Sequence, residues 1–190
     1  MNIERNIYLD RLVHRMHNGM IKVITGIRRC GKSYLLFKLF YRYLLEQGVP
    51  EESIIVMELD RWKNREYRNP KVLLDYIDSH MHDDKQYYIL LDEVQMMENF
   101  EEVLNSLLHY PNADIYVTGS NSKFLSSDIL TEFRGRGDEV HVFPLSFSEF
   151  MQVYSGDVYH GWADYVMYGG LPLCATMHTE EEKVQYLSKL

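Results

Sequence analysis

With 190 residues, 46% of them hydrophobic and 25% charged, the chain has the make-up of a globular protein that buries a proper core, and its two cysteines supply neither a disulfide framework nor metal-ligand spacing. No apolar run approaches the ~18 residues of a membrane span, and Met1-Asn2-Ile3-Glu4-Arg5-Asn6 lacks the basic-then-apolar plan of a signal peptide, so the cytoplasm is the expected compartment and no membrane partner is expected. The net charge of −8 is uneven: residues 1–48 carry nine Lys/Arg against three Asp/Glu, residues 49–110 six against fourteen, and residues 111–190 five against eleven. A basic first third suits a phosphate ligand, and the acidic remainder argues against extended electrostatic docking on nucleic acid by this piece alone.

In chain order, residues 3–17 read as an amphipathic helix with Ile3, Ile7, Leu12, Val13 and Met16 apolar and Arg5, Asp10, Arg11 and Arg15 polar, closed by Asn18-Gly19. Met20 to Thr25 is a short β-branched run, which predicts a strand. Gly26-Ile27-Arg28-Arg29-Cys30-Gly31-Lys32-Ser33 then satisfies the phosphate-loop pattern G-x-x-x-x-G-K-[ST], and from Tyr34 to Leu45 the apolar residues fall at helical spacing. Strand, glycine loop and helix are thus in the order that a polyphosphate site needs. Gly26 and Gly31 leave bare backbone for close approach, and successive amides at the helix start form a nest for the phosphates. Lys32 reaches the β/γ oxygens and Ser33 offers its hydroxyl to Mg²⁺. The whole stretch Gly26, Ile27, Arg28, Arg29, Cys30, Gly31, Lys32, Ser33, with Tyr34 after it, is the expected nucleotide cradle.

Beyond the break at Gln47 to Pro50, residues 53–60 predict a second strand. Residues 61–69 mix basic and aromatic types and read either as a solvated loop or as a nucleic-acid contact; a helix over 70–81 follows. Tyr87 to Leu91 is a near-continuous apolar run, as in a strand buried on both faces of a parallel sheet, and it ends in Asp92-Glu93. Ligands bind at the carboxyl ends of such strands, so Asp92 is placed to hold Mg²⁺ opposite Ser33, and Glu93 to orient or deprotonate the attacking water. A helix at 98–109 and a strand at 114–118 lead to Gly119-Ser120-Asn121-Ser122, where Ser120 and Asn121 either contact the γ-phosphate or simply form a turn. Residues 122–131 read as helical. Either Arg134 or Arg136, in the glycine-rich connector to a fifth strand at 139–143, is a candidate arginine finger. From Pro144 the character changes: a capping signal opens a helix at 146 that runs to about Tyr154, an aromatic stretch ends at Tyr168-Gly169-Gly170-Leu171-Pro172, and a last helix runs from Glu180 to Leu190.

These residues together resemble the predicted AAA+ ATPases of bacteria and archaea whose full-length members carry a C-terminal domain of unknown function. The likeness runs through nearly the whole chain and rests on the Arg-Arg phosphate loop, Leu90-Leu91-Asp92-Glu93-Val94-Gln95, Thr118-Gly119-Ser120-Asn121, Gly135-Arg136, Pro144 to Phe150 and Gly169-Gly170-Leu171-Pro172. The resemblance implies a three-layer α/β/α P-loop NTPase with a parallel sheet in the order 5-1-4-3-2. It also implies an ATPase core over residues 1–145 and, over residues 146–190, a helical lid or the start of a C-terminal region, the chain then being truncated. By the same resemblance Lys32 and Ser33 are Walker A, Asp92 and Glu93 are Walker B, Ser120 or Asn121 is sensor 1, and Arg136 rather than Arg134 is the arginine finger.

The expected activity is Mg²⁺-dependent hydrolysis of ATP to ADP and phosphate. A nucleotide-dependent switch with negligible turnover shares every binding residue, and a phosphoryl-transfer kinase shares the loop but has little use for Glu93 beside Asp92. A GTPase is disfavoured because the sequence contains no Asn-Lys-x-Asp element. A homo-oligomer, if Arg136 reaches a neighbour, and a protein or nucleic-acid partner recruited through the absent C-terminal domain are the partner arrangements left open.

Overall fold

The structure, a computed structural model, describes residues 3–119, 133 and 135–190. Five strands form one parallel sheet: β1 (Ile21–Thr25), β2 (Ile54–Glu58), β3 (Tyr87–Asp92), β4 (Ala113–Thr118) and β5 (Gly137–His141), in the spatial order β2-β3-β4-β1-β5. This is the expected 5-1-4-3-2 order. Parallel strands need crossovers, and from β1 to β4 helices supply them. α1 (Asn6–Val13) precedes β1. α2 is continuous through Lys32–Tyr34, a π-helical Leu35–Phe40 and Tyr41–Glu46. α3 (Pro70–His80) links β2 to β3, and α4 (Phe100–Leu107) links β3 to β4.

The alternation of side chains along each strand divides the core between two faces of the sheet. Ile55, Ile89, Leu91, Ile115 and Val117 pack with Leu73 and Ile77 of α3 and with Phe100, Val103, Leu104 and Leu107 of α4. Ile24, Ile54, Tyr88, Leu90, Tyr116 and Val140 pack with Tyr8 and Leu12 of α1 and with Leu35, Leu36, Leu39, Phe40 and Leu44 of α2. Three layers result, with β3 buried at every position because both of its faces are covered. Four more helices follow the sheet: α5 (Phe147–Met151), α6 (Val158–Tyr168), α7 (Pro172–Ala175) and α8 (Glu180–Leu187). Ile3, Leu145, Phe150, Val153 and Ala175 form a third, smaller core there.

The elements differ from the sequence reading mainly at their ends. The first helix is eight residues long rather than spanning 3–17, and its buried face is Tyr8 and Leu12, with Ile7 64% exposed. Arg5, expected on the polar face, is buried at 1% exposure. Tertiary hydrogen bonds reverse the periodic pattern at that position. β5 begins two residues earlier than expected because Gly137 already pairs with Ile21. The basic-aromatic segment is a 3₁₀ turn, Trp62–Arg68, with Trp62 exposed and the Arg65 guanidinium 4.9 Å from its ring centroid. The helix expected at 122–131 lies outside the described residues.

Candidate functional site

The loop from Gly26 to Ser33 joins the carboxyl end of β1 to the first turn of α2. Three of its residues have positive φ: Gly26 at 138°, Arg29 at 68° and Gly31 at 103°. At Gly26 the reason for glycine is internal as well as ligand-directed, since a Cβ there would lie 2.2 Å from the Val142 carbonyl oxygen. At Gly31 it would lie 3.4 Å from Nη1 of Arg5. Ile27, Arg28 and Arg29 are exposed, and the Arg29 guanidinium stands 5.2 Å from the Tyr186 ring centroid on α8. Cys30 is a buried free thiol, its pKa pushed up by desolvation despite Lys32 and Arg5 nearby, so it is packing rather than a nucleophile. Lys32 is buried and arches back over the loop, its Nζ donating to the Gly26 carbonyl at 2.9 Å and the Ile27 carbonyl at 3.1 Å.

Asp92 ends β3 next to the end of β4, where Leu91 pairs with Val117. It is 3% exposed, and burial raises its pKa above the ordinary carboxylate range, opposed by hydrogen bonds from the Thr118 and Ser33 hydroxyls. Thr118 Oγ1 donates to Asp92 Oδ1 and accepts the Glu93 N–H at 3.2 Å. Thr118 therefore ties the two carboxylate residues to β4. Glu93 occupies the left-handed region at φ 53°, which turns the chain sharply after the strand, and its carboxylate accepts from the Gln95 side-chain amide. The fold thus brings Lys32, Ser33, Asp92 and Glu93 to one end of the sheet, where α/β sheets bind their ligands.

Arg136 is not in that group. Its carbonyl accepts the Ile21 N–H at 2.8 Å, at the amino end of β1, whereas the phosphate loop leaves the carboxyl end. At about 3.3 Å per residue, that is a separation of roughly 16 Å along the strand. Ser120, Asn121 and Arg134 lie outside the described residues.

Three contributors were not read from the sequence. Thr118 is one: it heads the Thr118-Gly119-Ser120-Asn121 match, but nothing local marks its hydroxyl as a partner of Asp92. Arg5 is another; it reaches the loop from the start of the chain, with Nη1 2.8 Å from the Cys30 carbonyl. The third is a 250 Å³ cavity beside Gly31, walled by Ile3, Tyr34, Leu145 and Pro172. Tyr34 lines this cavity from the first turn of α2. Two wider grooves, of 640 and 620 Å³, involve neither the loop nor the carboxylates. Among the described residues no group of three or more His, Cys, Asp or Glu side chains forms a separate metal site, and no helix is long and apolar enough to cross a membrane.

A family model described as AAA domain matches residues 18–151. An uncharacterized protein of Haemophilus influenzae is 34% identical over 177 residues, covering 90% of this chain and 44% of that protein. An uncharacterized protein of Methanocaldococcus jannaschii is 26% identical over 185 residues, covering 89% and 39% respectively. The chain therefore spans less than half the length of these curated relatives. Among solved structures, that of C. elegans PCH-2 superposes with a TM-score of 0.56 at 15% identity, covering 79% of this chain and 46% of the other, a likeness of fold.

Proposed function

This chain belongs to the AAA domain family, and from that membership and the site's geometry we propose that it binds ATP with Mg²⁺ and hydrolyses the β–γ bond by in-line attack of water. The observation that carries the reading is the Ser33–Asp92 contact: a hydroxyl at the start of the phosphate-loop helix hydrogen-bonded to a buried carboxylate whose pKa is raised by desolvation. Both described hydrogen-bond donors to Asp92 are neutral hydroxyls, and among the described residues no ion pair reaches this buried carboxylate. Two hard oxygens on adjoining elements are a donor set that suits Mg²⁺ held partly through water. When bound, Mg²⁺ neutralises charge on the β- and γ-phosphates.

The remaining work falls to the chain itself. The amides of residues 27–33 cradle the phosphates, and Lys32 exchanges its two carbonyl acceptors for β/γ oxygens. Glu93 orients the attacking water and takes its proton, with Gln95 and Thr118 fixing its direction. The base of the nucleotide occupies the apolar cavity beside Gly31, between Ile3 and Tyr34 on one side and Leu145 and Pro172 on the other. Residues 146–190 act as a lid over that cavity, and Ser120 or Asn121 senses the γ-phosphate.

The test is phosphate release from Mg-ATP by the chain and by its Glu93→Gln variant, with nucleotide binding measured beside it. Binding that survives in the variant while turnover is lost supports hydrolysis with Glu93 as the base, and Lys32→Ala is expected to abolish binding. Equal turnover in Glu93→Gln and the parent sinks the assignment. Binding without turnover in either protein favours a nucleotide-dependent switch.

A further inference from the structure

Arg5 is among the most completely buried side chains of the molecule, and it is a cation. Its guanidinium donates in three directions at once. Nη1 reaches the Cys30 carbonyl at 2.8 Å; Nη2 reaches the Phe143 carbonyl at 2.8 Å and the Pro144 carbonyl at 3.4 Å; Nε reaches Glu149 Oε1 at 3.1 Å. The Tyr8 ring lies against it, 4.4 Å from centroid to Cζ. One side chain thus spans the phosphate loop, the exit of β5 and the start of α5. Glu149 does double duty, since its carboxylate also accepts the Ser146 N–H at 2.8 Å in the capping box that begins α5. A buried charge with this many partners is costly to assemble, and a purely apolar contact would hold three segments together as well.

The particular carbonyl it holds suggests its use. In a trans peptide the C=O of one residue and the N–H of the next point in opposite directions. The Cys30 carbonyl, bound by Arg5, therefore turns the Gly31 N–H the other way, and Gly31 with its φ of 103° tolerates that orientation. An amide nest attracts phosphate only while its carbonyls face out, because one reversed peptide aims a carbonyl oxygen at the anion. We propose that Arg5 is a positioning residue for nucleotide binding: it locks the Cys30–Gly31 peptide with its carbonyl outward and, through Glu149, couples that lock to the seating of α5. The proposal rests on the phosphate-loop reading given above. The planar guanidinium fork is essential to it, since a lysine ammonium cannot serve the Cys30 carbonyl, the Phe143 carbonyl and the Glu149 carboxylate in one plane.

The decisive experiment compares affinities for ATP and for inorganic tripolyphosphate in the parent chain, Arg5→Lys, Glu149→Gln and Lys32→Ala, each first shown to be folded by circular dichroism. Tripolyphosphate engages the loop without the base cavity, which Arg5 also borders. Arg5→Lys is expected to weaken both ligands by the same factor, about tenfold, as for loss of one charge-assisted hydrogen bond. Unchanged affinities overturn the proposal. So does a loss confined to ATP, which would assign Arg5 to the base cavity instead. If Arg5→Lys does not fold, Glu149→Gln decides: it keeps a capping oxygen but removes the charge partner, so a smaller common loss supports the coupling and parent-like affinities refute it. Should the parent fail to bind either ligand, or Lys32→Ala bind as well as the parent, the phosphate-loop reading itself fails.

Discussion

Asp92 shows how a residue suited to binding sits at odds with stability. Burial raises its pKa, so the folded chain prefers the protonated acid more strongly than the unfolded chain does. For an acid with a raised folded pKa, the penalty is absent below the ordinary carboxylate range. It grows as pH rises from there through the folded value, and is complete above it. Metal-free protein therefore carries this penalty increasingly as pH rises above the ordinary carboxylate range. Asp92→Asn is expected to raise the calorimetric midpoint at pH 7 by about 2–4 °C, on the order of 1 kcal/mol, with the gain vanishing as pH falls through the carboxylate range. The same variant should lose Mg²⁺-dependent nucleotide binding. A midpoint below the parent's at neutral pH contradicts the argument.

The two ends of the sheet ask different things of β1. Its carboxyl end delivers Gly26, where a Cβ would meet the Val142 carbonyl at 2.2 Å in a backbone conformation that L side chains rarely adopt. Gly26→Ala should destabilise the fold by at least about 2 kcal/mol in urea titrations, through strain and β5 displacement, and weaken nucleotide binding with it. Near its amino end, the buried Lys22 ammonium donates to Asp114, to the Met20 carbonyl at 2.9 Å and to Asn18 Oδ1 at 3.2 Å. Asp114 also accepts from the Tyr116 hydroxyl at 2.8 Å and the His17 N–H at 3.0 Å. Desolvation lowers the Lys22 pKa, with Asp114 opposing the shift, and Tyr116 is driven far upward by its own burial beside that carboxylate. This network pins the turn at 17–20 to β1 and β4, at the end of the sheet opposite the phosphate loop. Lys22→Met leaves Asp114 buried without its cation and should cost about 3–5 kcal/mol in urea unfolding. A loss below about 1 kcal/mol would show that the remaining donors suffice for Asp114.

At the scale of the molecule, the position of Arg136 decides what sort of site this is. An exposed side chain at the amino end of β1, roughly 16 Å along the strand from the loop, is badly placed to touch a phosphate in its own chain. If it acts as an arginine finger, it acts on a neighbour. Arg136→Ala and Glu93→Gln should then each be inactive alone and regain turnover when mixed, because one interface in the mixture unites an intact Arg136 with an intact Glu93. The parent's specific activity should also rise with protein concentration. A mixture no more active than the mean of its parts, with concentration-independent turnover in the parent, points to a site that works without Arg136.

What was legible in the sequence was local. Glycine spacing, a β-branched run before it and helical periodicity after it located the phosphate loop, and the apolar run from Tyr87 to Leu91 located the doubly covered strand with its carboxylates, because each signal depends on neighbours a few residues apart. Strand order was reachable only through family resemblance, since no strand's own residues name its neighbour. Arg5 was misread as a polar helix residue: the partners that bury it, Cys30, Phe143 and Glu149, are 25, 138 and 144 residues away. Thr118 heads a matched motif, but its part as the hydroxyl that meets Asp92 follows only from the pairing of β3 with β4. The cavity beside Gly31 draws its walls from four separated stretches of chain, and the end of the sheet to which Arg136 belongs follows from its hydrogen bond with Ile21. Sequence determined the chemical groups and their local geometry, whereas the tertiary structure decided which of them meet, because contact between distant segments depends on how the whole core packs.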